Sequence, residues 1–184
     1  MNQRQPIICA GVLLAMLAPI PAIDGAALAQ PSHLTVPQSI RFEHAAIIDR
    51  LTKEAAKSGV SAAIAQKALI FIKAHFAKEE EFVFSPLGLL DQITAGESPS
   101  ESVKKVAIDM AERTQASKDS LQEDHVQITS MMNDLIQAAT RADEPDLVVF
   151  AGNVAAHSLG EVEVLEPVTL MIGDYLRSKP SPRQ

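Results

Sequence analysis

Two glutamates stand four residues after a histidine, Glu79 after His75 and Glu161 after His157, and each such pair follows another histidine, His44 or His125, by about 31 residues. On a helix, positions four apart share a face, so each histidine and its glutamate point the same way. Imidazole and carboxylate ligands without thiolate suit iron, manganese or zinc, and ligand type alone does not choose among them. Two ions sharing carboxylates within a helical bundle point to iron or manganese. Because the order histidine, then His-x-x-x-Glu, occurs twice, the duplication predicts a two-metal site with pseudo-twofold symmetry.

Such a site needs helices to hold it, and the composition supplies them. Tryptophan is absent and tyrosine occurs once. Alanine, leucine, isoleucine, glutamate and lysine fill long runs between a few breakers, which favours helix over sheet. Pro37 and Gly59 bracket a first helix over about 37–58. A second runs from Ser61 to Phe84 and stops at Ser85-Pro86-Leu87-Gly88, and 89–99 reads as a loop. The next helical stretch, from Ser100 to near Ala142-Asp143, either overhangs the others or contains a separate short helix over 100–115. A last helix starts at Pro145 and runs to about Arg177, with a kink or break at Pro167.

The apolar stripe of each helix passes through the candidate ligands. The first gives Ile40, His44, Ile47 and Leu51; the second Ile64, Ala68, Ile72, His75, Glu79 and Phe82. The third gives Leu121, His125, Ile128, Met132 and Leu135; the fourth Leu147, Phe150, Val154, His157, Glu161, Val164 and Val168. One histidine on an apolar stripe is usually a hydrogen-bonded core residue. Four histidines with two carboxylates are another matter, because each uncompensated buried charge costs several kcal/mol. No lysine or arginine falls on these stripes, and a multivalent cation would compensate. A turn at Gly59 puts His44 and His75 at one level, since they lie 15 and 16 residues from it. A turn near Arg141 does the same for His125 and His157, each 16 residues away.

The chain has 184 residues, enough for one core. Residues 1–29 read as a cleavable signal peptide: Arg4, an apolar run from Pro6 to about Ala22, then Ala27-Leu28-Ala29. Pro6, Pro19 and Pro21 argue against a membrane anchor. The expected location is periplasmic or secreted, with no membrane contact after cleavage. Cys9, the single cysteine, lies inside that segment, so the mature chain has no disulfide, thiolate ligand or cysteine nucleophile. A formal charge of −7 without a basic block excludes nucleic acid as a favoured partner. Residues 30–36 and 179–184 read as flexible ends, the first holding the remaining histidine, His33, as unrelated to the site.

These motifs resemble hemerythrin-like proteins with HHE cation-binding repeats. The first repeat carries the resemblance in Glu43-His44-Ala45-Ala46-Ile47 and in the stretch from His75 to Pro86. The second carries it in Asp124-His125-Val126-Gln127-Ile128 and from His157 to Pro167, so the likeness spans about 38–176. The resemblance implies an all-α, up-down-up-down four-helix bundle over about 37–178, with two iron ions in a non-haem di-iron centre bridged by an oxo or hydroxo group. It also implies His44, His75, His125 and His157 as terminal ligands and Glu79 and Glu161 as bridges. Hemerythrins that carry oxygen reversibly have a His-x-x-x-His pair on the third helix, where this chain has Leu121 and Thr129 around His125. Their last motif has aspartate at i+5 where this one has glutamate at i+4. The chain thus looks closer to bacterial and iron-responsive HHE proteins, with coordination positions open to dioxygen, peroxide, nitric oxide or water.

Glu80, Glu81 and Glu163 read as solvated residues, and Met131, Met132 and Met171 as core filling. Glu43 and Asp124 are balanced between solvated residues and contacts to a ligand ring nitrogen. Three functions are in play: a di-iron protein that binds a small ligand for sensing, scavenging or storage, an oxidoreductase or peroxide-consuming enzyme at the same irons, and a metal-free helical interaction module. No catalytic residue and no protein partner is assigned.

Overall fold

Chain direction reverses at Gly59, where φ is +105°, a conformation that only glycine adopts without steric cost. The helix before it, α1, spans Gln38–Ala55, and the helix after it, α2, spans Val60–Lys78. This computed structural model describes residues 34–179. The signal peptide expected at 1–29, residues 30–33 and the tail from 180 lie outside the described residues. All regular structure among the described residues is helical, with no strand.

After α2 the chain makes a π-helical turn, Glu79–Val83, and a 3₁₀ turn, Ser85–Leu89. The expected loop over 89–99 contains a short helix, α3, at Leu90–Thr94. The long stretch that follows divides at Ser117 into α4, Glu101–Ala116, and α5, Lys118–Arg141, so the separate-helix alternative holds. Ser100 opens α4 by accepting the Val103 backbone N–H, the usual way to satisfy an orphan donor at a helix start. Asp143, at φ +57°, turns the chain into α6, Pro145–Gly160, whose first-turn proline has no N–H to leave unpaired. A second π-helical turn, Glu161–Leu165, leads into α7, Glu166–Ser178.

Neighbours in the chain pack on each other, α1 on α2 and α5 on α6, while α2 also packs on α5 and α4 lies along α7. The apolar interior forms two layers. One contains Ile47, Leu51, Ala68, Ile72, Ile128, Met132, Leu135, Leu147 and Val154. The other contains Ile40, Phe82, Val83, Phe84, Leu121, Ala107, Ile172 and Leu176. Val36 and Leu34 pack into the second layer, so the flexible start expected over 30–36 does not describe residues 34–36. These residues are held because their apolar side chains cover the layer and Thr35 lies against Gly88.

Two glycines allow close approach instead of turning the chain. A Cβ on Gly88 would collide with the Thr35 carbonyl oxygen, and one on Gly173 would collide with the Ala111 Cβ, where α7 packs on α4. Neither neighbour is the free end of a flexible side chain, so the backbone must shift. Gly88→Ala and Gly173→Ala should each lower stability by about 1–3 kcal/mol, read as an earlier urea midpoint with unchanged slope.

Candidate metal centre

Between the two apolar layers lies a polar one. Along α1, His44 separates Ile40 from Ile47; along α5, His125 separates Leu121 from Ile128. His75 and Glu79 separate Ile72 from Phe82, and His157 and Glu161 follow Val154. All six sequence-predicted residues therefore meet at one depth. His44, His75, Glu79, His125 and Glu161 are buried, and His157 is the most exposed, its side chain at 13%.

The imidazoles pair across the structure. His75 meets His125 edge-on with ring centroids 4.5 Å apart, and His44 meets His157 at 5.4 Å. The turn arithmetic groups His44 with His75 and His125 with His157 by level; side-chain direction then joins each to a partner on the other hairpin. Phe76 stacks on His44 at 3.7 Å and closes one face of that ring.

Each carboxylate reaches both pairs. Glu79 Oε1 is 3.0 Å from His75 Nε2 and 3.7 Å from His125 Nε2, while its Oε2 is 3.7 Å from His44 Nε2. Glu161 Oε1 lies 2.9 Å from His157 Nε2 and 3.1 Å from His44 Nε2, with Oε2 4.0 Å from the His125 ring. Two sets of ligand atoms able to hold a metal ion result: His75, Glu79, His125 and Glu161 in one, His44, His157 and Glu161 in the other. Glu161 belongs to both.

Opposite ring nitrogens are tied down from outside. His44 Nδ1 is 2.8 Å from Glu80, His125 Nδ1 is 2.8 Å from Ser158, His75 Nδ1 is 3.3 Å from Asp124, and His157 Nδ1 is 3.3 Å from Glu43. Such outer contacts fix ring orientation and leave Nε2 free to ligate. Asp124 and Glu43, evenly balanced on sequence alone, are thus ring-orienting residues. Glu80, expected to be solvated, contacts the candidate ligand His44, while Glu81 pairs with Arg113 at the surface and Glu163 is exposed. Ser158 was missed because a lone serine after a histidine carries no sequence signal.

Both π turns begin at the carboxylates. The Phe84 N–H donates to the Glu79 carbonyl and the Glu166 N–H to the Glu161 carbonyl, each an i to i+5 bond that inserts one residue. The insertion turns the following face by about 100°. Val164, expected on the inner stripe, is therefore 55% exposed, and Glu166, Thr169 and Ile172 face inward instead. The interruption expected at Pro167 thus begins earlier, at Glu161. Glu166 is buried, with Oε1 2.9 Å from His125 Nε2. It was missed because an unbroken 3.6-residue period places it off the stripe.

Charge in this layer is unequally shared. Burial, reinforced by the Glu161 charge, raises the Glu79 carboxyl well above its ordinary value. Burial acts upward on Glu161 too, but the close His157 imidazole and the His44 hydrogen bond outweigh it and hold that carboxyl at about 2. Burial depresses His75, whereas at His157 the Glu161 carboxylate overcomes burial and raises the imidazole. Even so, His75 Nε2, His157 Nε2, both Glu79 oxygens and Glu161 Oε2 are buried without an aligned hydrogen bond. Unsatisfied groups of this kind ordinarily cost about 1–3 kcal/mol each.

An apolar groove of about 670 Å³ reaches His157 between α1 and α6, lined by Ile47, Arg50, Phe150 and Val154. On the other side, His125 borders a smaller hollow of about 200 Å³. Compared with family models, curated proteins and solved structures, the chain finds no match in any of the three.

Without metal, Glu79 is a strained resident of this layer. Glu79→Gln should stabilise the chelator-treated protein by about 1–3 kcal/mol, as relief of one poorly compensated buried group. A carboxyl whose folded pKa is raised loses its contribution to stability as pH climbs above the unfolded value of 4.5. The gap in melting temperature between variant and parent should therefore widen with pH above about 4.5, measured in chelator by thermal scans.

Proposed function

We propose that this chain is a hemerythrin-like, non-haem di-iron protein that binds dioxygen or a related small ligand, such as nitric oxide or peroxide, for sensing, scavenging or storage. The observation that carries the reading is the convergence of four buried Nε2 atoms and two carboxylates in one layer, with Nε2 of His75 and His157 and three carboxylate oxygens left without a hydrogen bond, while every Nδ1 is held from outside. Burial between two apolar layers makes those atoms costly unless cations pair with them. The donors fit: four imidazoles, two carboxylates that each face both pairs, and no thiolate among them.

In this reading four helical elements form the bundle: α1, α2 with its π turn, α5, and α6 continued through its π turn into α7. His44 and His157 would hold one ion and His75 and His125 the other, with Glu79 and Glu161 facing both pairs. Iron bound there supplies redox-active positions at which a small ligand can join. The chain's own residues orient the rings through Glu43, Glu80, Asp124 and Ser158. Its apolar layers exclude water, and the groove between α1 and α6 offers a route of the right character for a small uncharged molecule. Export to the periplasm or beyond is part of the same proposal, resting on residues 1–29.

Elemental analysis of the purified protein should find about two irons per chain, and the visible spectrum of the reduced protein should change on air exposure. His157→Ala should retain about half the metal and Glu161→Ala almost none, because Glu161 serves both ligand sets. Metal at about 100 times its dissociation constant should stabilise the fold by about 2.7 kcal/mol. A stripped protein that keeps its melting temperature, from which no iron copurifies, would defeat the reading in favour of a metal-free interaction module. Sustained consumption of peroxide, against reversible spectral change, separates an enzyme from a binder.

A further inference from the structure

The two halves of the polar layer are not equivalent, and the difference lies five residues after each carboxylate. Glu79 is followed at that distance by Phe84, which lies near His44 with ring centroids 6.2 Å apart. Glu161 is followed by Glu166, whose carboxylate contacts His125. Both positions are turned inward by the same π insertion, so the duplication sets a hydrocarbon ring on one side and a charge on the other.

Carboxylate contacts to the inward nitrogens show what Glu166 does. His75 Nε2 meets Glu79 at 3.0 Å, and His157 and His44 Nε2 meet Glu161 at 2.9 and 3.1 Å. His125 Nε2 has Glu79 at 3.7 Å but Glu166 at 2.9 Å. A residue at the start of a helix often carries an acid merely to complement the helix dipole at the surface. Glu166 is instead only 6% exposed and aims at a ligand nitrogen.

We propose that Glu166 is a seventh protein ligand of the centre, a third carboxylate on the cation held by His75 and His125. This inference rests on the metal reading above. That cation is then enclosed by His75, His125, Glu79, Glu161 and Glu166, whereas the cation of His44 and His157 has fewer protein donors. Open positions therefore concentrate on the side that faces the α1–α6 groove, where His157 lines the wall.

The test uses the full folded chain, stripped of metal and titrated with Co(II), whose visible absorption intensifies as donors are lost. In Glu166→Gln, one of two binding steps should weaken by about 10-fold or more, and absorption per ion should rise for that step alone. Glu166→Asp, which keeps the charge but withdraws it by one methylene, should show a smaller change in the same direction and serves if the glutamine variant does not fold. Weaker binding with an unaltered spectrum would make Glu166 only a hydrogen-bond partner of His125 and overturn its role as ligand. Two binding steps unchanged in both variants would overturn it as well, leaving the metal reading intact. A parent protein that takes up fewer than two Co(II) ions would defeat the metal reading itself.

Discussion

Everything in this structure is arranged around a layer of ionisable groups that apolar side chains enclose on both sides. Four imidazoles and three carboxylates lie between one hydrocarbon layer built on Ile72, Ile128 and Leu135 and another built on Phe84, Leu121 and Ile172. Most of these groups are buried, so they must satisfy one another or a shared counter-charge. Within the chain they do so only in part. Glu161 collects hydrogen bonding and stays ionised, while Glu79 is pushed toward its neutral form. The result is a buried cluster of histidine and glutamate atoms within metal-binding distance of one another, of a kind that structural cores rarely keep.

The backbone follows the same constraint. An unbroken α-helix would carry the inner face of α2 and α6 past the carboxylates at a fixed angle. The π turns at Glu79 and Glu161 change that angle where the candidate ligands sit, and they do so in both halves. After the first turn the chain leaves the layer through Phe84, Pro86 and Leu87; after the second it continues as α7, which brings Glu166 inside. One local distortion thus produces two environments from a doubled motif. Outside it, α4 covers α7 through small residues at Gly173 and Ala111, closing the second apolar layer.

Much of the site is legible from residue type and spacing. His44, His75, His125 and His157 stand on stripes with apolar neighbours three and four residues away, so their inward direction follows from helical geometry. Glu79 and Glu161 follow for the same reason. Glu43 and Asp124 resist such reading because each adjoins a candidate ligand histidine and points off the stripe; only the neighbouring hairpin brings a ring nitrogen to them. Val164 misleads because its inward placement assumes a period that the π turn breaks. Residues 34–36 mislead because their polar surroundings in the chain conceal the layer they cover.

By itself, the sequence determines the helices, their approximate ends and the identity of the side chains that enter the interior, since periodicity and breakers are local properties. It also determines that those side chains lack basic partners on their own stripes. Which imidazole meets which, how the Nδ1 atoms are held, and that Glu166 joins the layer are decided by tertiary structure. Each depends on contacts between residues 30 or more positions apart, and on one inserted backbone residue per half. Local pattern carries no record of either, because a helix face is set by the bonds within a helix and a site by the faces of several.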